Sequence, residues 1–449
     1  MPAGGEPANS GPAMTALMRR AICAAAIIFA VSLHMQPTLS IAGADLRVSL
    51  SDGAILIFLP LFAWLCFRLW PQLRREISPC WPILAIAATL VMAAGFANGI
   101  NALGRTEPWA LTKFAGWFAL LAYISAGCLL ARALPGTAMR LFIRTYTATL
   151  GLIVLAFMGL ASVGANWPFG QLGPRLSGLA SNPNAFALAA LCGVVLLLSF
   201  RDRLEKKLGR FGLEALSAFM VAGALFSRSL ALLIAVAVIW LVYISIRKDF
   251  RSLFRISLLA LLIYGTPGAA FSALSYIAPA LVLGKGASGI FSKANKFYAS
   301  GQNIGIAARI TSTYRALDLW KSRPIPGAGL GVFLAYERER GEPEADLTQI
   351  HNTALWIMTE LGLAGFAVFG TAFVSLLIFF YRSEKWLRGR DPPAADAALA
   401  GLLVMAGWFT MSLAHELMYQ RVPWFILGLC MGMIFAAGQN RDTEAAQIA

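Results

Sequence analysis

Apolar residues fill long runs of this chain, and polar residues gather in short clusters between them. Twelve runs are long enough to predict a spanning helix, at about 21–37, 50–69, 81–98, 109–131, 141–163, 184–200, 212–227, 229–246, 254–274, 353–381, 397–414 and 422–438. A helix that crosses a bilayer needs about 20 mostly apolar residues. Runs 212–227 and 229–246 nearly fuse at Ser227-Arg228-Ser229, the weakest boundary of the set. No internal repeat at a fixed period is visible.

The pattern lapses only once, between residues 275 and 350. A connection this long normally carries function or structure of its own. Its first part, Gly284 to Gly305, is rich in Gly, Ser, Lys and Asn and reads as mobile. Its second part reads Arg309-Ile-Thr-Ser-Thr-Tyr314-Arg315-Ala-Leu-Asp318-Leu-Trp320. There Ile310, Tyr314, Leu317 and Trp320 recur near helical spacing, which predicts an amphipathic helix over 308–321. Arg323-Pro324 ends it, because proline disfavours helix at the residue before it. A turn follows, Pro326-Gly-Ala-Gly-Leu-Gly331, then a charged tract from Glu337 to Asp346 that reads as solvated surface. His351-Asn352 stands where the next helix begins, and Glu360-Leu-Gly-Leu-Ala-Gly365 lies inside it. The organisation is therefore helices 1–9 over 1–274, an outer segment over 275–352, and helices 10–12 with a tail over 353–449.

Composition agrees. The 449 residues are 58% hydrophobic and 13% charged, which excludes an ordinary soluble domain. A net charge of +15 would suit a nucleic-acid partner, but the cations cluster between apolar runs as the positive-inside rule requires. With the N-terminus inside, 22 of the 37 Lys and Arg fall in inner loops, six in short outer connections and nine in 275–350. Both termini are thus expected in the cytoplasm and the 275–350 segment outside. Arg19-Arg20 ahead of residues 21–33, with Ala42-Gly-Ala44 beyond, has the outline of a signal peptide. The topology needs this helix, so it is expected to be retained. The six cysteines lie in or beside apolar runs, with no CxxC pair, so neither a thiolate metal site nor a disulfide in 268–350 is expected.

Against that charge bias the few outer arginines are informative. They are Arg175 in Gly173-Pro-Arg175, just ahead of Ser181-Asn-Pro-Asn184, Arg228 at a membrane edge, and Arg309 and Arg315 on the outer helix. Guanidinium binds phosphate oxygens bidentately and keeps its charge at any working pH. Several around one cavity suit a diphosphate; singly, each reads as a solvated or snorkelling side chain. Lys113 near the start of the fourth run reads equally as snorkelling. Of three histidines, His34 reads as interfacial. His415-Glu416 lacks the second His of a zinc-protease pattern. His351 can accept a proton near neutral pH, or simply make local hydrogen bonds at a helix entry. The turn 327–331 lacks the strand-to-helix context of a nucleotide loop and reads as structural. Glu360 lies nearly opposite His351 on a straight helix, so the two pair only if the helix breaks. Asp52 reads as the cap of the second run's helix.

The order of an Arg-bearing helix, a Pro-x-Gly-x-Gly turn and a His-Asn ahead of a Glu-x-Gly-x-x-Gly helix resembles the O-antigen ligase and polymerase family. The resemblance covers about 55 residues closely and the rest by topology. It implies an all-α polytopic fold of the membrane glycosyltransferase (GT-C) type with about 12 transmembrane helices and a large periplasmic helical loop. It implies transfer of a glycan from undecaprenyl diphosphate at the periplasmic face of the bacterial inner membrane, without metal or other cofactor. A ligase uses lipid A-core oligosaccharide as acceptor; a polymerase extends another lipid-linked chain. By the same resemblance His351 is the base or the residue orienting the acceptor hydroxyl. Arg175, Arg228 and Arg309 hold the diphosphate, with Arg315, Asn352 and Tyr314 secondary. Two other classes stay open. A transporter or flippase would place ionisable groups near the midplane, and the runs look nearly free of them. A receptor or structural protein is disfavoured by the motif alone.

Overall fold

The computed structural model describes residues 14–36, 38–41, 44–47, 49–162, 176–180, 182–277, 309–340 and 350–448. Gly284–Gly305, Arg175 and the tract beyond Arg340 lie outside the described residues. Among the described residues, apart from one antiparallel hairpin, β1 (Thr38–Ile41) with β2 (Ala44–Arg47), every regular element is a helix. In order these are α1 (Ala16–Ser32), α2 (Leu50–Ile57), α3 (Leu59–Glu76), α4 (Cys80–Leu103), α5 (Pro108–Ala133), α6 (Pro135–Ser162), α7 (Pro183–Ser199) and α8 (Arg201–Phe226). Then come α9 (Leu230–Arg247), α10 (Phe250–Ile277), α11 (309–322), α12 (Val332–Glu339), α13 (Thr353–Leu387), α14 (Pro392–Ser412) and α15 (Arg421–Ile448).

Each of the twelve apolar runs falls on a helix or, for 50–69, on the pair α2–α3. Among the described residues, eight helices are long and apolar enough to cross a membrane: α4, α5, α6, α8, α9, α13, α14 and α15. The pair α2–α3, bent by 58°, makes a ninth if it counts as one span. Proline in the first turn of α3 explains the bend, since its ring cannot continue the preceding helix. α1 and α7 are apolar but only 17 residues each. The uncertain boundary at 227–229 is a real break: Arg228 adopts φ 52° between α8 and α9. Asp52 caps α2 through a capping box with Ser49.

The most extensive helix–helix packing is between α5 and α15. A Cβ on Gly428 would stand 2.1 Å from the Ile124 carbonyl oxygen, so small residues let the two backbones touch. This replaces the hydrophobic drive that lipid removes.

Side-chain contacts sort the connections into the same two ends as the charges do. At one end Arg132 grips Glu76 at 2.7 and 3.2 Å, Arg203 and Arg247 share Asp396, and Arg388 donates to the Ile246 carbonyl at 2.9 Å. At the other, Arg421 pairs with Asp52 at 3.1 Å and Arg338 with Glu107 at 3.0 Å. The second end is the one expected to face outward.

Candidate functional site

The turn after α11 is spliced into a break in α13. In an unbroken helix the amides of Leu363 and Ala364 would reach the carbonyls of Thr359 and Glu360. Here they donate instead to Pro324 and Ile325, at 2.8 and 3.3 Å. The released Thr359 and Glu360 carbonyls accept from Ala328 and Gly329, at 2.9 and 3.0 Å. One residue further, Leu330 donates to the Gly95 carbonyl of α4 at 2.8 Å. These two amides and two carbonyls are thus all paired despite the break, as a membrane setting requires. The break itself sits at Gly362, with φ 69° and ψ −170°, a region almost closed to other residues. A Cβ there would lie 2.0 Å from the Ile325 carbonyl oxygen. Gly327, Gly329 and Gly362 are therefore spent on backbone contact, and the turn is structural.

α11 is held beneath this splice by Thr359, whose hydroxyl donates to the Ala316 carbonyl at 3.3 Å. Its buried side carries Ser312 and Ala316. The predicted apolar stripe is in part turned away, with Ile310 and Tyr314 53% and 67% exposed. Arg315, half-buried on α11, forms an ion pair with Glu337 of α12, which also lies 3.6 Å from Arg340. Glu337 is 1% exposed, so the start of the charged tract is not solvated surface. Arg309 opens the described part of α11, half-buried.

His351 lies immediately before the first turn of α13 and is also half-buried. The next two residues fix it to the α14–α15 connection, residues 413–420. The Asn352 side chain accepts from the Leu355 amide at 2.9 Å, capping α13, and its Nδ2 donates to the Leu413 carbonyl at 2.9 Å. The Thr353 hydroxyl donates to the His415 carbonyl at 2.9 Å and accepts from the Leu417 amide at 3.1 Å. From the other side, Asn184 at the start of α7 lies 3.2 Å from His415 Nδ1. The Leu176 amide, next in sequence to Arg175, donates to the Phe226 carbonyl at 2.9 Å, two residues from Arg228. The segments flanking Arg175, Arg228 and His351 thus meet at one end of the bundle.

A charged cluster beside this clamp was not foreseen. Lys113 of α5 is 4% exposed, 3.1 Å from Glu416 and 3.8 Å from Glu360. Its ammonium sits 4.0 Å from the Trp356 ring centre and 5.3 Å from that of Trp109, an attractive cation–π placement. Lys113 therefore does not snorkel. Glu360, 2% exposed, accepts from the Trp356 indole at 2.7 Å and faces the Gly331 amide, so its partners are these and not His351. The buried Tyr419 hydroxyl has no hydrogen-bond partner among the described residues, and burial pushes its phenol well above the ordinary value, with Glu416 and Glu360 adding to the rise. The expectation of spans almost free of ionisable groups is corrected. Lys113 and Glu360 are paired in the interior, and at the opposite end the buried Glu214 and Asp396 are paired with Arg255 and Arg247. His34 is likewise buried, with Nε2 3.2 Å from the Tyr146 carbonyl, not interfacial. Among the described residues no group of three or more His, Cys, Asp or Glu comes together.

Fold and contacts define a polytopic helical membrane protein with a polar site at one end. A family model described as O-antigen ligase matches residues 213–370. The chain therefore carries the O-antigen ligase resemblance from α8 into α13, across Arg228, Arg309, the spliced turn, His351 and Glu360. Arg175, Lys113 and Glu416 lie outside the matched stretch. No curated protein matches the chain.

Proposed function

We propose that this protein transfers a glycan from undecaprenyl diphosphate to a sugar hydroxyl of lipid A-core at the periplasmic face of the inner membrane. The observation that carries the reading is the double clamp on Asn352 and Thr353. It seats His351 on the same connection that Asn184 reaches, within the end that also holds Arg228. In this reading the segment 275–352 supplies part of the active site, and both termini are cytoplasmic.

The acceptor hydroxyl oxygen attacks the anomeric carbon, and the bond from that carbon to the diphosphate oxygen breaks. The diphosphate leaves with the electron pair, its charge held by Arg175, Arg228 and Arg309. The hydroxyl proton passes to His351. Arg315 contributes less directly, since Glu337 already engages it.

Envelope glycans of a deletion strain test the reading. Loss of a ligase leaves polymer on the lipid carrier and bare lipid A-core. Loss of a polymerase leaves single repeat units attached, and an unchanged glycan profile would sink both.

A further inference from the structure

An ionisable group held inside a membrane protein is costly and is retained for a purpose. Lys113 is such a group, and it faces two carboxylates from two different elements. Glu360 belongs to the stretch of α13 where the turn is spliced in, and Glu416 belongs to the α14–α15 connection. That connection is the one whose 413, 415 and 417 backbone groups clamp Asn352 and Thr353. Tyr419, further along it, packs edge-on against Trp356 with ring centres 5.8 Å apart.

We propose that Lys113 is a positioning residue for His351: by pairing with Glu416 and Glu360 it locks the α14–α15 connection against broken α13, and so fixes the clamp on which His351 sits. The role in turnover rests on the transfer reading above; the lock itself does not.

The physics is one of charge count. With Lys113 in place, one ammonium lies between two carboxylates and over an indole face. Without it, Glu360 and Glu416 confront each other in a largely buried pocket, where like charges repel strongly and unpaired charge is expensive. Glu360 is held by the Trp356 indole and the Gly331 amide. Glu416 is the more exposed carboxylate at 15% and sits on a connection, so it is the group that moves out. It takes residues 415–417 with it. A displacement of about 1 Å at a reacting group costs about a hundredfold in rate.

The test uses the full chain in lipid nanodiscs, with Lys113→Met and, separately, Glu416→Gln. Hydrogen exchange is measured across the chain, together with glycan transfer and binding of the lipid-linked donor. Lys113→Met is expected to raise exchange at 350–355 and 413–420 only, and to lower turnover about a hundredfold while donor binding holds. Glu416→Gln, which removes one charge at constant shape, is expected to loosen the same two stretches less. The double variant should be no worse than Lys113→Met alone, because the two act through one contact.

Unchanged exchange in both stretches for Lys113→Met overturns the lock. Loosening throughout the bundle overturns it too, since Lys113 would then only hold the fold. Local loosening with normal transfer, in a protein where His351→Ala is inactive, overturns the positioning role. Local loosening with His351→Ala fully active instead refutes the transfer reading and leaves the lock standing.

Discussion

Gly329 donates its backbone amide to the carbonyl of Glu360 at 3.0 Å, a bond that an intact helix would have made with Ala364. The 326–331 turn therefore completes the backbone hydrogen bonding of α13. Gly362→Ala tests this. Its Cβ would meet the Ile325 carbonyl at 2.0 Å, and φ 69° with ψ −170° is a glycine region. The backbone strain alone costs about 1–3 kcal/mol. The variant is expected to accumulate poorly and melt early. Gly370→Ala on the same helix, where nothing lies within 4 Å, should behave as wild type in the same thermal assay.

Asn352 uses both ends of its amide, so two substitutions separate its roles. Asn352→Asp keeps the acceptor for the Leu355 amide but loses the donor to Leu413. Asn352→Ala loses both, with about 1 kcal/mol for the cap alone. Hydrogen exchange should show the 413–420 connection loosened in both variants, and the first turn of α13 frayed only in Asn352→Ala. Equal fraying in the two would show that the cap does not depend on the Oδ1 acceptor.

Arg315 and Arg309 share a helix but not a task. Arg315→Ala leaves the buried Glu337 with only the 3.6 Å contact to Arg340 among its described ion pairs. Breaking a buried pair from one side costs about 3–5 kcal/mol. Adding Glu337→Gln should recover much of that loss in a thermal unfolding assay, and Arg315→Lys should be mild in transfer. A stable Arg315→Ala protein without transfer activity would move Arg315 into the diphosphate site.

Sidedness follows from the charge distribution. Reporter fusions at Lys207 and Arg388 are expected to read cytoplasm, and fusions at Gly301 and Gly341 periplasm. A cytoplasmic signal at Gly301 would place the Arg309–His351 region on the wrong face for a periplasmic reaction.

The twelve helical runs, the two ends of the bundle and the His351 helix entry were legible because burial in lipid and the positive-inside bias write directly into residue type. The turn at 326–331 was legible as a turn, but its insertion into α13 was not. That depends on four backbone hydrogen bonds between residues about 35 apart, and glycines show only that a close approach exists somewhere. The stripe on α11 misled, because spacing marks an apolar side without saying what covers it, and Thr359 holds the Ala316 side instead. Lys113 and Glu360 were visible as lone charges in apolar runs. Singly, each supports a bland reading; together, an ammonium in one apolar run and a carboxylate in another point to partners. Glu416 and Tyr419 carried no signal, since their part depends on a connection folding back over α5.

In the proposed transfer, His351 and Arg309 act at one reacting centre. The direct measurement is glycan transfer by His351→Ala and Arg309→Lys at matched membrane levels, with binding of the lipid-linked donor followed in parallel. His351→Ala should bind donor but turn over about a hundredfold to ten-thousandfold more slowly. Arg309→Lys should fail as well, since a point charge cannot replace the bidentate fork. Near-normal transfer by both His351→Ala and Arg309→Ala would contradict that shared centre and leave the 275–352 segment as a cap or partner surface.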